Sequence, residues 1–166
     1  LNIVLFPGMP QNLHIFEERY KLMINLCIQK RQPFGLVLIE EGMEVGSRRV
    51  RTHNIGCTAQ ITQVQPLPQS RMNITAIGRE RFRILSVKYD QPYLVGEVEM
   101  YPLALDDIVA IHDSALKLRR LLERYLHILE EAGQVQYDTR QFPKEPLAMA
   151  YLASVVLQVS VEQKQK

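Results

Sequence analysis

Apolar and polar positions change their spacing twice along this chain. The opening run Leu1-Asn2-Ile3-Val4-Leu5-Phe6 is strand-like, and Pro7-Gly8-Met9-Pro10 stops it. Phe16, Tyr20, Met23, Ile24, Cys27 and Ile28 then recur at three- and four-residue steps, which places them on one helix face, and Pro33 ends that helix. This spacing makes Phe16 a core residue and sets Glu17 and Lys21 as an i,i+4 pair on the outer side. Phe34-Gly35-Leu36-Val37-Leu38-Ile39 is continuously apolar and predicts a strand buried on both faces. Residues 40–55 break the pattern and read as a mobile loop. Strands are expected again over 57–64, 73–77, 81–89 and 93–100, with Pro66, Pro68, Gly78 and Pro92 between them. Short strands at about ten-residue spacing predict a small barrel or sandwich rather than a doubly wound sheet.

After Pro102 the period becomes helical. Ile108, Ile111, Ala115, Leu118, Leu122, Tyr125 and Leu129 line one face of a helix expected over Asp106 to Ala132. Val109, Leu116, Leu121, Leu126 and Ile128 widen that face, so the helix is expected to pack on more than one partner. Asp106 or Asp107 can cap its start, and Gly133 suits a left-handed residue after its end. A polar linker over 134–145 leads to Pro146, which fits the first turn of a helix reaching about Leu157. Ser160-Val161-Glu162-Gln163 has capping-box spacing, yet only three residues follow, so the last helix is read as cut short. The pattern predicts an α+β chain, with a β domain over 1–103 and a helical subdomain over 104–166.

Composition narrows the function classes. The chain has 20 basic and 18 acidic residues, a net charge of +2, which is not the footprint of a dedicated nucleic-acid binder. Cys27 and Cys57 lie far apart inside apolar patterns and are expected to be reduced thiols of a cytoplasmic protein. No apolar run approaches the ~18 residues of a membrane span. His14, His53, His112 and His127 are scattered and offer no metal-ligand spacing. There is no G-x-x-x-x-G-K-[ST] phosphate loop. Ser114 and Lys117 have the S-x-x-K spacing of some acyl-transferases, but they fall mid-helix without the partner motifs. No catalytic, cofactor-binding or metal-ligating residue is nominated, and the chain reads as a binder rather than an enzyme.

Four segments in register carry a resemblance. Leu5-Phe6-Pro7-Gly8, Leu13, Ile15-Phe16-Glu17 and Arg19-Tyr20 form the first. Phe34-Gly35 entering an apolar strand is the second, and Gly56-Cys57-Thr58-Ala59-Gln60-Ile61 the third. The fourth is Gly78-Arg79-Glu80-Arg81-Phe82-Arg83-Ile84, and Tyr151 to Lys164 is similar to the helical close. Together they resemble the amino-terminal, substrate-binding domain of the Lon protease family, without its AAA+ ATPase and serine–lysine peptidase. The resemblance implies a PUA-like β pseudo-barrel holding one early helix, then a C-terminal helical bundle with one long helix. It also implies a module that captures unfolded or misfolded segments of other proteins, alone or within an ATP-dependent protease.

Candidate residues for such a surface are Phe6 and Met9 at the first turn, Glu18 and Arg19 on the early helix, and Met43 in the long loop. Arg79, Arg81 and Arg83 form a candidate basic patch, because strand alternation puts them on one face and Phe82 and Ile84 on the other. With Arg48, Arg49 and Arg51 they would serve an alternative nucleic-acid-binding role, since PUA-like barrels include RNA binders. A scaffold or oligomerisation module, assembling through its long helix and its last helix, is the third reading.

Overall fold

The computed structural model describes residues 2–41, 51–103 and 107–165. The chain divides into two compact units, residues 1–102 with 160–166, and residues 103–159.

The first unit is built on an antiparallel sheet. Strands β1 (Pro10–Ile15), β2 (Phe34–Glu41), β3 (Arg51–Pro66), β4 (Met72–Lys88) and β5 (Val95–Met100) are joined in the order β1-β4-β3-β2, and β5 also pairs with β4. β4 is long enough to hold both: residues 72–77 pair with β1 and residues 82–88 with β5. Two expected strands, 73–77 and 81–89, are therefore one. Gly78 continues the strand instead of breaking it, because its N–H and C=O both bond the first turn, to Met9 O and from Gly8 N. A Cβ at Gly78 would collide with the Phe6 carbonyl oxygen.

The segment before β1 is not a strand over residues 2–6. Leu5 is nevertheless buried, and the turn at Pro7-Gly8 forms as expected, with Gly8 at φ 79° and Met9 N donating to Phe6 O at 3.2 Å. β2 shows alternation in place of burial on both faces: Phe34, Leu36 and Leu38 are buried while Gly35, Val37 and Ile39 are not. Only one of its faces meets the core. Residues 51–55, read as loop, begin β3; residues 42–50 lie outside the described residues.

Helix α1 (Glu18–Lys30) packs Ile24, with Tyr20, Met23 and Cys27, on a core of Ile15, Phe34, Leu36, Cys57, Ala59, Met72, Ile74 and Ala76. Arg31 in the left-handed region (φ 52°) ends it before Pro33. Lys21, expected on the outer side, is buried and donates to Glu18 Oε1 at 2.7 Å and to Gln69 O at 3.0 Å. Glu17 instead accepts from Arg19 at 2.9 Å.

In the second unit, α2 (Ile108–Glu131) starts where Asp107 Oδ1 accepts from Ala110 N at 2.9 Å. It ends before Gly133 (φ 69°), as the spacing predicts. α3 (Pro146–Val156) has proline in its first turn and is capped by Glu145. Leu122 and Leu126 pack on Met149 and Ala153. The segment between them is more than a polar linker, since Val135, Tyr137 and Phe142 join that cluster. The apolar residues expected to give α2 further partners do not all find them: Val109, Leu116, Leu121 and Ile128 are exposed. The terminal helix α4 (Val161–Gln165) groups with the sheet unit rather than with the other late helices. Its capping box is formed in both directions, Gln163 N to Ser160 Oγ at 3.3 Å and Ser160 N to Gln163 Oε1 at 3.1 Å.

Candidate functional site

Alternation along a strand is reversed by one inserted residue, and the pairing of β3 with β4 uses that device twice. Cys57, Ala59 and Ile61 of β3 point to the core, and unbroken alternation would send Gln63 and Gln65 after them. The register prevents this. Ile61 faces Ala76 and Gln63 faces Thr75, so β3 advances two residues while β4 advances one. The extra residue is Thr62, whose hydroxyl donates to Thr75 O at 3.1 Å. Beyond it Gln63 and Gln65 share the outer face with Thr75 and Asn73, and these with Asn12 and His14 of β1.

The result is a grid of two rows across three strands, Asn12–Thr75–Gln63 and His14–Asn73–Gln65. It lines an open depression of about 840 Å³, with no lysine, arginine, aspartate or glutamate among its lining residues. Thr75 Oγ1 donates to Asn12 Oδ1 at 2.8 Å. His14 Nδ1 lies 2.7 Å from Asn73 Oδ1, and Asn73 Nδ2 donates to Gln65 Oε1 at 3.4 Å. With the proton on Nδ1, His14 donates this bond and keeps Nε2 as an acceptor. The row thus runs from an acceptor on His14 to an amide donor on Gln65, each without a partner among the described residues. Phe16 stacks on His14 with centroids 5.7 Å apart and is 49% exposed. Its expected place in the core is overturned: α1 begins only at Glu18, so Phe16 follows the outward parity of Asn12 and His14 rather than the helical stripe.

The second bulge lies in β4. Ala59 faces Gly78 and Cys57 faces Arg81, so β4 carries one extra residue at Arg79–Glu80. The three arginines are consequently not one simple face. Arg79 is exposed, whereas Arg81 is opposite core Cys57 and its Nη1 is buried without a hydrogen-bond partner among the described residues. Arg83 pairs with Glu99 at 3.0 Å, and both Arg81 and Arg83 lie over the Tyr101 ring, at 5.5 and 3.9 Å. Phe82 turns to the opposite side and is buried over Gly56 and Gly35, where a Cβ would meet its ring at 2.6 and 3.0 Å. Burial raises the Cys57 thiol to about 11, opposed by the Arg79 backbone N–H and the Arg81 charge.

The other nominated residues are scattered. Phe6 is half-buried, and Met9 packs against the core. Glu18 is exposed and paired with Lys21; Arg19 lies over Tyr20 at 4.6 Å and pairs with Glu17. Met43, like Arg48 and Arg49, lies outside the described residues, while Arg51 pairs with Glu40 at 2.8 Å. The grid itself was missed. Its sequence signal is the recurrence of amides and hydroxyls at every second position, Asn12-x-His14, Gln63-x-Gln65 and Asn73-x-Thr75.

The family model described as ATP-dependent protease La (LON) substrate-binding domain matches residues 1–166. The chain belongs to the Lon substrate-binding domain family. Lon protease of Porphyromonas gingivalis is 23% identical over 99% of this chain, and a LON peptidase N-terminal domain and RING finger protein of Schizosaccharomyces pombe is 29% identical over 54% of it. The chain spans about a fifth of their length, 20% and 21%. Among solved structures, a Lon N-terminal domain protein from Xanthomonas campestris superposes with a TM-score of 0.70 at 22% identity, covering 99% of this chain and 83% of that one. The N-terminal domain of a Mycobacterium avium complex Lon protease gives 0.62 at 19% identity, with the same coverage. These likenesses fix the α+β fold with its antiparallel sheet, and membership of the Lon family identifies the chain as a substrate-binding domain.

Proposed function

We propose that this Lon-type domain is a non-catalytic recognition module that captures exposed or unfolded segments of other proteins. The observation that carries the reading is the family match, which runs the full length of the chain. The uncharged outer face and the partly exposed Phe16 support it, because a surface that must accept many sequences gains little from fixed charges. The arginines argue in the same direction. Arg83 spends its charge on Glu99 and lies over the Tyr101 ring, so neither its charge nor that ring face is free for a nucleotide.

Binding to carbamidomethylated, and therefore unfolded, α-lactalbumin against the native form tests this at low and high salt. Selective capture of the unfolded form that survives high salt is expected, since apolar and neutral hydrogen-bonding contacts are weakly screened. Failure to distinguish the two forms would end the recognition reading. Binding to single-stranded RNA that falls steeply with salt would replace it with a phosphate-reading one.

A further inference from the structure

Within that recognition reading, we infer that the bound segment lies on the Asn12–Thr75–Gln63 and His14–Asn73–Gln65 grid. It is an uncharged, extended stretch of polypeptide, read through its main chain, with one apolar side chain set against Phe16. The assignment rests on which polar valences are already used. Thr75 Oγ1 is spent on Asn12 Oδ1, and Asn73 is spent at both ends, accepting from His14 and donating to Gln65. The Asn12 and Gln65 amide nitrogens, the His14 Nε2 and the whole Gln63 amide keep donors and acceptors without a partner among the described residues, and all four residues are exposed.

A peptide main chain presents this mixture of N–H and C=O groups regardless of sequence. A phosphate or carboxylate ligand would need cations, and the depression has none. Neighbouring strands lie about 4.8 Å apart, so the three-strand width is roughly 10 Å, the span of about three extended residues. A charged side chain brought there would lose solvation and find no counter-charge, so the grid selects against charge as well as for backbone. Phe16, at the end of the His14 row, supplies the apolar contact that amides cannot.

The test uses short peptides blocked at both ends, made of glycine, serine and asparagine with one phenylalanine, followed by fluorescence anisotropy. The partners are a version with lysines in place of the asparagines and a version N-methylated along the backbone. Each replacement is expected to weaken binding roughly tenfold, as are Phe16→Ala and Gln65→Glu in the domain. Leu121→Ser on α2 serves as the control and is expected to bind normally. Circular dichroism of Gln65→Glu, an exposed isosteric change, reports whether the variant is folded. If Phe16→Ala and Gln65→Glu both capture unfolded α-lactalbumin as well as the parent, the grid is not the site, although the recognition reading survives. If the parent captures no unfolded protein at all, the reading beneath it fails too. Tight binding of a neutral oligosaccharide with no peptide binding would also overturn the assignment.

Discussion

The two halves of β4 carry similar alternating sequence and do opposite things. From Met72 to Gly78 the even positions are buried and the odd ones, Asn73 and Thr75, face out beside the glutamines of β3. From Arg81 onward the bulge has exchanged the faces. Phe82 covers the outer side by filling the space that Gly35 and Gly56 leave, and Arg81 is turned toward the thiol of Cys57. One end of the outer face is thus sealed by an aromatic ring, and the other is an open row of amides. The difference is one inserted residue in each strand of the β3–β4 pair. Such an insertion costs a ladder hydrogen bond or two, and it decides which side chains are available to a partner.

Cancelling the bulge at Thr62 should have the largest effect. Inserting one alanine between Thr75 and Ala76 would match Thr62 across the strand pair and cancel the bulge, sending Gln63 and Gln65 to the core parity of Ile61 and burying amides without partners. A loss of roughly 3–5 kcal/mol is expected, at about 1–3 for each unsatisfied group, measured as the urea unfolding midpoint. An unchanged midpoint would show that the register can reset without the bulge, and the contrast between the two halves would lose its cause.

A smaller contrast separates the two sides of the same edge. Ile74→Ala, at a residue 2% exposed, should cost ~2–5 kcal/mol through cavity formation. Phe16→Ala, at a residue 49% exposed, should stay within about 1 kcal/mol. Thermal melts of both variants check the pair, and equal losses would mean that Phe16 is packed as a core residue after all.

An effect confined to alkaline pH is expected at Cys57. Its thiol is raised from 9.0 to about 11, so the folded state holds the proton more tightly than the unfolded chain. Its contribution is complete below the unfolded value and is lost as pH rises from about 9 toward about 11. The difference in urea midpoint between the parent and Cys57→Ala should therefore change across that interval and be flat below it. A difference that stays constant throughout would place the thiol in a wetter setting.

Much of the fold was legible in residue patterns because local chemistry fixes it. The helix ending before Pro33, the cap at Asp107, the left-handed Gly133, Pro146 at a helix start and the Ser160–Gln163 capping box all follow from requirements of a few neighbouring residues. The four segments around Phe6, Phe34, Gly56 and Phe82 also carried the family. The candidate face was not legible. Parity read along β3 sends Gln63 and Gln65 inward, and helical spacing counted back from Tyr20 sends Phe16 inward too. Their true positions depend on pairing with residues far along the chain, Thr75, Asn73 and His14, and on the start of α1 at Glu18. The sequence by itself determined the helices, several of their caps and the family. Only the tertiary structure decided which face each strand residue occupies, because strand register is a long-range choice that a single bulge reverses.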